Sequence, residues 1–201
     1  SCTDEEYLEF YRKLFPLDQD PIFWIHLNVD YPFKLQGILY FPKIDMNFEP
    51  TEKSIQLFCN RVFVSDHCRD ILPRYLNMLR GAIDSVDLPL NVSRSTLQVD
   101  KSVRQLSAHI TKKIADRLTG LYRTEKERFL QLWPDIETVV KIGILNDEKF
   151  FEKAKELLVW KRHDGSWTSI PELLEKSEEK KIFYSTEDHR GAAIFDAYRA
   201  K

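Results

Sequence analysis

The sequence predicts a mixed α/β (α+β) chain, on three observations. Apolar residues alternate with a period of two in several short runs before about residue 100. From there to about residue 178 they recur with the period of a helix. What remains reads as a single strand followed by a single helix.

The first element is a helix over Thr3–Leu14. Thr3 with Glu6 three residues on is a capping-box pattern. Tyr7, Phe10, Tyr11 and Leu14 then fall on one face, and Pro16 ends the helix. Asp18 to Pro21 is a turn. Ile22–Val29 alternates through Phe23, Ile25, Leu27 and Val29, and Lys34–Phe41 is a second strand. The Asp30-Tyr31-Pro32 turn joins them as an antiparallel hairpin. Asp45–Lys53 is polar and irregular but carries Met46 and Phe48. Ser54–Asn60 and Arg61–Val64 read as two strands or one bent strand. Arg69–Leu79 fits a helix with Ile71, Leu72, Tyr75, Leu76 and Leu79 inward and Pro73 in its first turn. Arg80–Val86 is apolar enough for a buried strand.

A polar loop follows, residues 87–100, with Asn91, Arg94 and Gln98 close together. Such a loop can hold cationic and amide donors toward a phosphate. A loop arginine can equally cap or pair locally, so the flanking segments have to decide.

The helical stretch opens with Ser102–Arg123. Val103, Leu106, Ile110, Ile114, Leu118 and Leu121 make its apolar stripe, and Lys101, Arg104, Lys112, Lys113 and Arg117 make its other faces basic. Those charges read as a solvated surface. Glu125–Leu145 is a second helix interrupted at Pro134, and Phe150–Trp160 a shorter third. Asp164-Gly165 is a turn, followed by Trp167 and a helix at Ile170–Glu175. After the charged connector Ser177–Lys181 come a short strand, Ile182–Tyr184, and a helix, Gly191–Arg199. A lone strand–helix pair cannot make its own sheet, which is expected of a chain cut inside a third unit.

Composition narrows the function classes. The chain has 201 residues, 43% hydrophobic and 31% charged, with a net charge of -2. That is an ordinary globular profile with no basic excess, which argues against nucleic acid as a partner. No apolar run reaches the length of a membrane span. The three cysteines, Cys2, Cys59 and Cys68, are odd in number and lack CxxC spacing, which points to free thiols in a reducing, cytoplasmic setting. Cys59 reads as core. His67-Cys68 has no second ligand pair nearby, so no metal site is expected. With six glycines there is no GxGxxG, no GxxxxGK[ST] and no GxSxG motif.

Three blocks then occur in order: Gln56–Val64, Ile71-Leu72-Pro73-Arg74-Tyr75-Leu76, and Arg80–Ser85 leading into Asp87-Leu88-Pro89-Leu90-Asn91-Val92-Ser93-Arg94. Together they resemble the middle domain of the heat-shock protein 90 chaperone family, of the bacterial HtpG type. The resemblance runs from the Glu5–Tyr11 helix to the Lys181–Tyr184 strand and is most specific from Gln56 to Gln98.

That resemblance implies a three-layer α/β/α subdomain over 1–112 carrying the catalytic loop at 87–100, a helical subdomain over 113–178, and the start of a truncated small α/β unit over 179–201. It implies that Arg94 reaches the γ-phosphate of ATP, held with Mg by an N-terminal domain absent from this chain, and that Gln98 helps position the phosphate end while Asn91 braces the loop. The family often has Glu after the arginine; here Ser95 stands there. The fragment alone would not hydrolyse ATP. A C-terminal dimerisation domain and unfolded client proteins are the other implied partners, with the full protein a homodimer. Phe48, Phe63, Trp24 and Trp133 are candidate client contacts, Phe48 foremost because it is apolar in a polar segment. Asp18 occupies the place where part of the family has a tryptophan, so that contact is not carried over. Two alternatives stay open: a docking module whose loop is purely structural, and the ATPase-associated domain of a topoisomerase or mismatch-repair relative. The latter would present a lysine and act on DNA, and the near-neutral charge and the arginine count against it.

Overall fold

A computed structural model of the chain describes residues 2–31, 34–43, 55–66, 71–87, 101–176, 180–182 and 184. The chain divides into two compact units, Ser1–Leu158 and Val159–Lys201.

The first unit is built on a five-stranded sheet: β1 (Phe23–Val29), β2 (Leu35–Phe41), β3 (Ile55–Cys59), β4 (Val62–Ser65) and β5 (Arg80–Ser85), in the spatial order β1-β2-β5-β3-β4. All neighbours are antiparallel except β3 and β5, which run parallel. Helix α1 (Asp4–Leu14) starts as its sequence dictates. The Thr3 backbone N–H donates to Glu6 Oε2 at 2.7 Å, and the Glu6 N–H donates to Thr3 Oγ1 at 3.3 Å. Its Tyr11 packs with Ile38 and Tyr40 on one face of the sheet, with Tyr7, Phe15 and Trp24 around them. The Tyr40 hydroxyl donates to the Tyr7 carbonyl at 2.7 Å.

The alternation along β1 puts Phe23, Ile25, Leu27 and Val29 on the opposite face, all buried, beside Leu35, Leu39 and Phe41 of β2. Helix α2 (Lys101–Thr124) packs against β1 and buries its whole expected stripe, Val103 through Leu121. Each such aliphatic side chain contributes about 1.5–3 kcal/mol when fully buried. Helix α3 (Lys126–Asn146) and helix α4 (Glu148–Ala154) pack on α2. Helices therefore lie on both faces of the sheet. Helix α2 runs unbroken past residue 112.

Three local expectations are revised, and one open choice is resolved. Residues 71–79 hold a 3-10 turn at Arg74–Leu76 rather than an α-helix. Pro73 is extended (φ -56°, ψ 149°), and a proline also steers the residue before it, Leu72, away from helical backbone. Helix α3 continues through Pro134, losing one backbone hydrogen bond rather than breaking. Of the two readings of the 55–65 segment, two strands is the one found, paired as a hairpin: Cys59 pairs with Val62 across Asn60-Arg61. Finally, the stretch around 150–160 is not one helix. α4 ends in a 3-10 turn, Lys155–Leu157, and Val159–Lys161 is a strand of the second unit.

In that second unit, β6 (Val159–Lys161) pairs antiparallel with β7 (Trp167–Ser169) around the Asp164-Gly165 turn. Gly165 has φ 85°, and Asp164 Oδ1 accepts the Ser166 N–H at 2.9 Å. Helix α5 (Ile170–Lys176) follows, with Glu172 Oε2 accepting the Ser169 N–H at 3.0 Å. No helix among the described residues is long and apolar enough to cross a membrane.

The β3–β4 turn yields a first prediction. Asn60 and Arg61 both have positive φ, 52° and 63°, as a two-residue type I′ hairpin requires. Asparagine tolerates this; arginine does not, and glycine is the favoured second residue. Arg61→Gly should stabilise the chain by about 0.5–1 kcal/mol, read as a higher urea midpoint at unchanged slope. The Arg61 N–H that donates to Asp84 Oδ2 at 2.9 Å survives the change.

A second concerns His109 on α2. Burial holds its imidazole below the ordinary value of 6.5, and Lys113 and Lys112 push the same way while Asp116 opposes them. The folded chain thus keeps this group neutral where the unfolded chain protonates it. Its contribution is present above pH 6.5 and is lost as pH falls toward the depressed value. His109→Gln should flatten the fall in stability between about pH 7 and pH 5, measured by denaturant midpoints across that range.

Candidate functional site

Residues 88–100, which hold Asn91, Arg94 and Gln98, lie outside the described residues, as do Phe48, His67 and Cys68. The frame from which the loop departs and to which it returns is described. Upstream is β5, the central strand of the sheet; downstream is the first turn of α2.

β5 is seated without slack. A Cβ on Gly81, whose φ is 150°, would stand 2.1 Å from the Ile38 carbonyl oxygen, and one on Gly37 of β2 would stand 2.4 Å from that of Ala82. Past Ser85 the chain is tied back. Asp87 Oδ2 accepts the Lys34 backbone N–H at 2.7 Å, and the Asp87 N–H donates to Ser85 Oγ at 3.4 Å. The loop thus leaves from a fixed point, the condition for holding a side chain toward a target outside this chain.

A partly buried ion pair lies at the other end of β5. Arg80 is 1% exposed, and its Nε donates to Asp18 Oδ2 at 3.0 Å. The Tyr11 hydroxyl donates to the same oxygen at 3.2 Å, and Phe15 lies under the guanidinium at 5.8 Å. Burial, then the Asp18 carboxylate, pushes the Tyr11 phenol up. Asp18 therefore belongs to a structural network tying the segment after α1 to the sheet. Sequence reasoning missed it; the available signal was an arginine opening a strand expected to be buried.

The candidate client contacts separate clearly. Phe63 on β4 is 53% exposed and packs edge-on against Phe58 at 5.7 Å. Val86, at the loop's departure point, is 49% exposed. Nearby, Phe10, Gly37, Phe58 and Asp84 line a shallow hollow of about 340 Å³. Trp24 is half-buried, 5.6 Å from Tyr7. Trp133 is fully buried beside Phe129 and presents no surface, because Pro134 does not break α3 and leaves its inward stripe intact. Among the described residues no three His, Cys, Asp or Glu side chains converge as metal ligands would.

Comparison with known proteins bears on the frame and the loop together. The family model described as Hsp90 protein matches residues 1–195. The chaperone protein HtpG of Porphyromonas gingivalis is 51% identical over 162 residues, covering 81% of this chain and 24% of the relative. That of Bacteroides thetaiotaomicron is 46% identical over 170 residues, covering 85% and 25%. That of Myxococcus xanthus is 34% identical over 197 residues, covering 94% and 30%. The chain thus spans about a quarter of the length of the first of these relatives. With a family model matched over nearly its whole length, and with the α/β frame that the motif order implied, this chain belongs to the Hsp90 family.

Proposed function

We propose that the chain is the middle domain of an ATP-driven, HtpG-type chaperone, and that Arg94 completes an ATPase site whose pocket belongs to a separate nucleotide-binding domain of the same polypeptide. One observation carries this reading: the Asn91-Val92-Ser93-Arg94 motif follows the central strand β5 and precedes α2, inside a family match over 1–195. A guanidinium suits the task because it stays charged and offers donors in a fixed fork. It would stabilise charge developing on the transferred phosphoryl group. Gln98 helps orient that end of the nucleotide, and Asn91 braces the loop. Magnesium–ATP is the substrate of the partner domain; this chain's part is the positioned cation. A dimerisation domain, unfolded clients and a cytoplasmic setting complete the proposal. Phe63, and Trp24 to a lesser degree, offer the client surface. The test is ATP turnover and nucleotide affinity of an Arg94→Ala full-length protein.

A second reading, client docking with a structural loop, is favoured by the exposed Phe63 and Val86 beside the loop's departure point. Under it, Arg94→Ala leaves turnover intact.

A further inference from the structure

Strand β5 is held from both sides while its ladders last. Its pairing with β3 ends at Asp84, and its pairing with β2 ends at Ser85. Two carboxylates tie the turns at that end of the sheet. Asp84 Oδ2 accepts the backbone N–H of Arg61, in the β3–β4 turn. Asp87 Oδ2 accepts that of Lys34, one residue before β2, at 2.7 Å. The two bonds differ in what they hold. The first lies within the ladder, where strand pairing already fixes the backbone. The second comes after the ladder has ended. There Val86 is half exposed, and the Asp87 N–H reaches Ser85 Oγ only at 3.4 Å. Among the described residues, the Asp87–Lys34 bond is the one long-range hydrogen bond on the chain past Ser85 and before α2.

Arg94 stands seven residues beyond Asp87. A run of that length reaches up to about 25 Å when extended. A small turn of the chain at its base therefore swings the far end by ångströms. A catalytic group tolerates about 0.5 Å, and a misplacement of about 1 Å can cost a hundredfold in rate. A carboxylate accepting a backbone N–H makes a short, charge-assisted bond. Such a bond can fix the heading of the chain where the sheet no longer does.

We propose that Asp87 is a positioning residue for Arg94. Its bond to the Lys34 N–H sets the direction in which the loop leaves the sheet, and so the placement of the guanidinium. The assignment rests on Arg94 completing the ATPase site. Asp87 itself touches no nucleotide and acts through the loop it aims.

The test uses the full-length chaperone with Asp87→Ala, Asp87→Asn, Arg94→Ala and the Asp87→Ala, Arg94→Ala double variant. ATP turnover, KM for ATP and melting temperature are measured for each. Asp87→Ala should lower kcat about tenfold, in keeping with the loss of one charge-assisted hydrogen bond. KM and melting temperature should stay close to wild type, since Asp87 is exposed and buries no apolar surface. Asp87→Asn keeps an acceptor oxygen for the Lys34 N–H and should lose about threefold or less. With Arg94 already replaced, Asp87→Ala should cost at most about twofold more, because little is left to misplace. A tenfold loss in both backgrounds would mean that Asp87 acts on the structure at large, and would overturn the proposal. So would normal turnover of Asp87→Ala beside a crippled Arg94→Ala, which leaves the role of Arg94 standing. Normal turnover of Arg94→Ala would remove that role, and the positioning role with it.

Discussion

Replacing Arg94 with alanine in the full-length chaperone should lower ATP turnover about a thousandfold, at the lower end of what a removed arginine finger costs. Nucleotide affinity should change by about threefold or less. The two numbers separate because the proposed contact is made chiefly as charge builds on the departing phosphoryl group, so it enters kcat and not ground-state binding. Arg94→Lys should recover only part of the loss, since an ammonium keeps the charge but not the two-pronged geometry. Thermal stability of all three proteins should coincide, because the role proposed for Arg94 is in the chemistry and not in packing. Steady-state turnover with a separate nucleotide-binding titration checks all of this. A variant that turns over normally removes Arg94 from the chemistry and leaves client docking as the better reading.

The second large effect is on stability. Asp18→Ala should destabilise the chain by about 1.5–3 kcal/mol, because it takes a carboxylate acceptor from the buried Arg80 guanidinium and from the Tyr11 hydroxyl. Against a typical total of about 5–15 kcal/mol, that is a substantial share. Asp18→Asn should cost less, since its amide oxygen still accepts from Arg80 Nε and from the Tyr11 hydroxyl. The double variant Asp18→Ala with Arg80→Met should regain part of the loss, because no buried guanidinium is then left short of its carboxylate. Urea midpoints for the four proteins close the cycle. A loss below about 1 kcal/mol for Asp18→Ala would mean that Arg80 finds water or another acceptor.

How much of this was legible beforehand differs by the range of the interaction involved. The capping box of α1 and the stripe of α2 are local: a few residues at fixed spacing specify them, and both stand as read. The β1–β2 hairpin was legible for the same reason. Strands β6 and β7 were not, since three residues are too few to show a period. At 71–79 the apolar spacing imitates a helix, and only the Leu72-Pro73 step says otherwise. The Arg80–Asp18 pair joins residues 62 apart in sequence, beyond any local pattern. Of the client contacts, Trp133 turned out to be core because a long helix outweighed its one proline. The family was legible from motif order; Arg94, Gln98 and Asn91 were assigned by that resemblance, while the tie of Asp87 to Lys34 at the loop's base emerged only from the fold.

The most direct measurement is a structure of the full-length protein with a non-hydrolysable ATP analogue and magnesium. The proposal requires the Arg94 guanidinium within hydrogen-bonding distance of a γ-phosphate oxygen, about 2.7–3.2 Å. A closed, nucleotide-loaded molecule with that side chain turned away and another cation on the phosphate would contradict it.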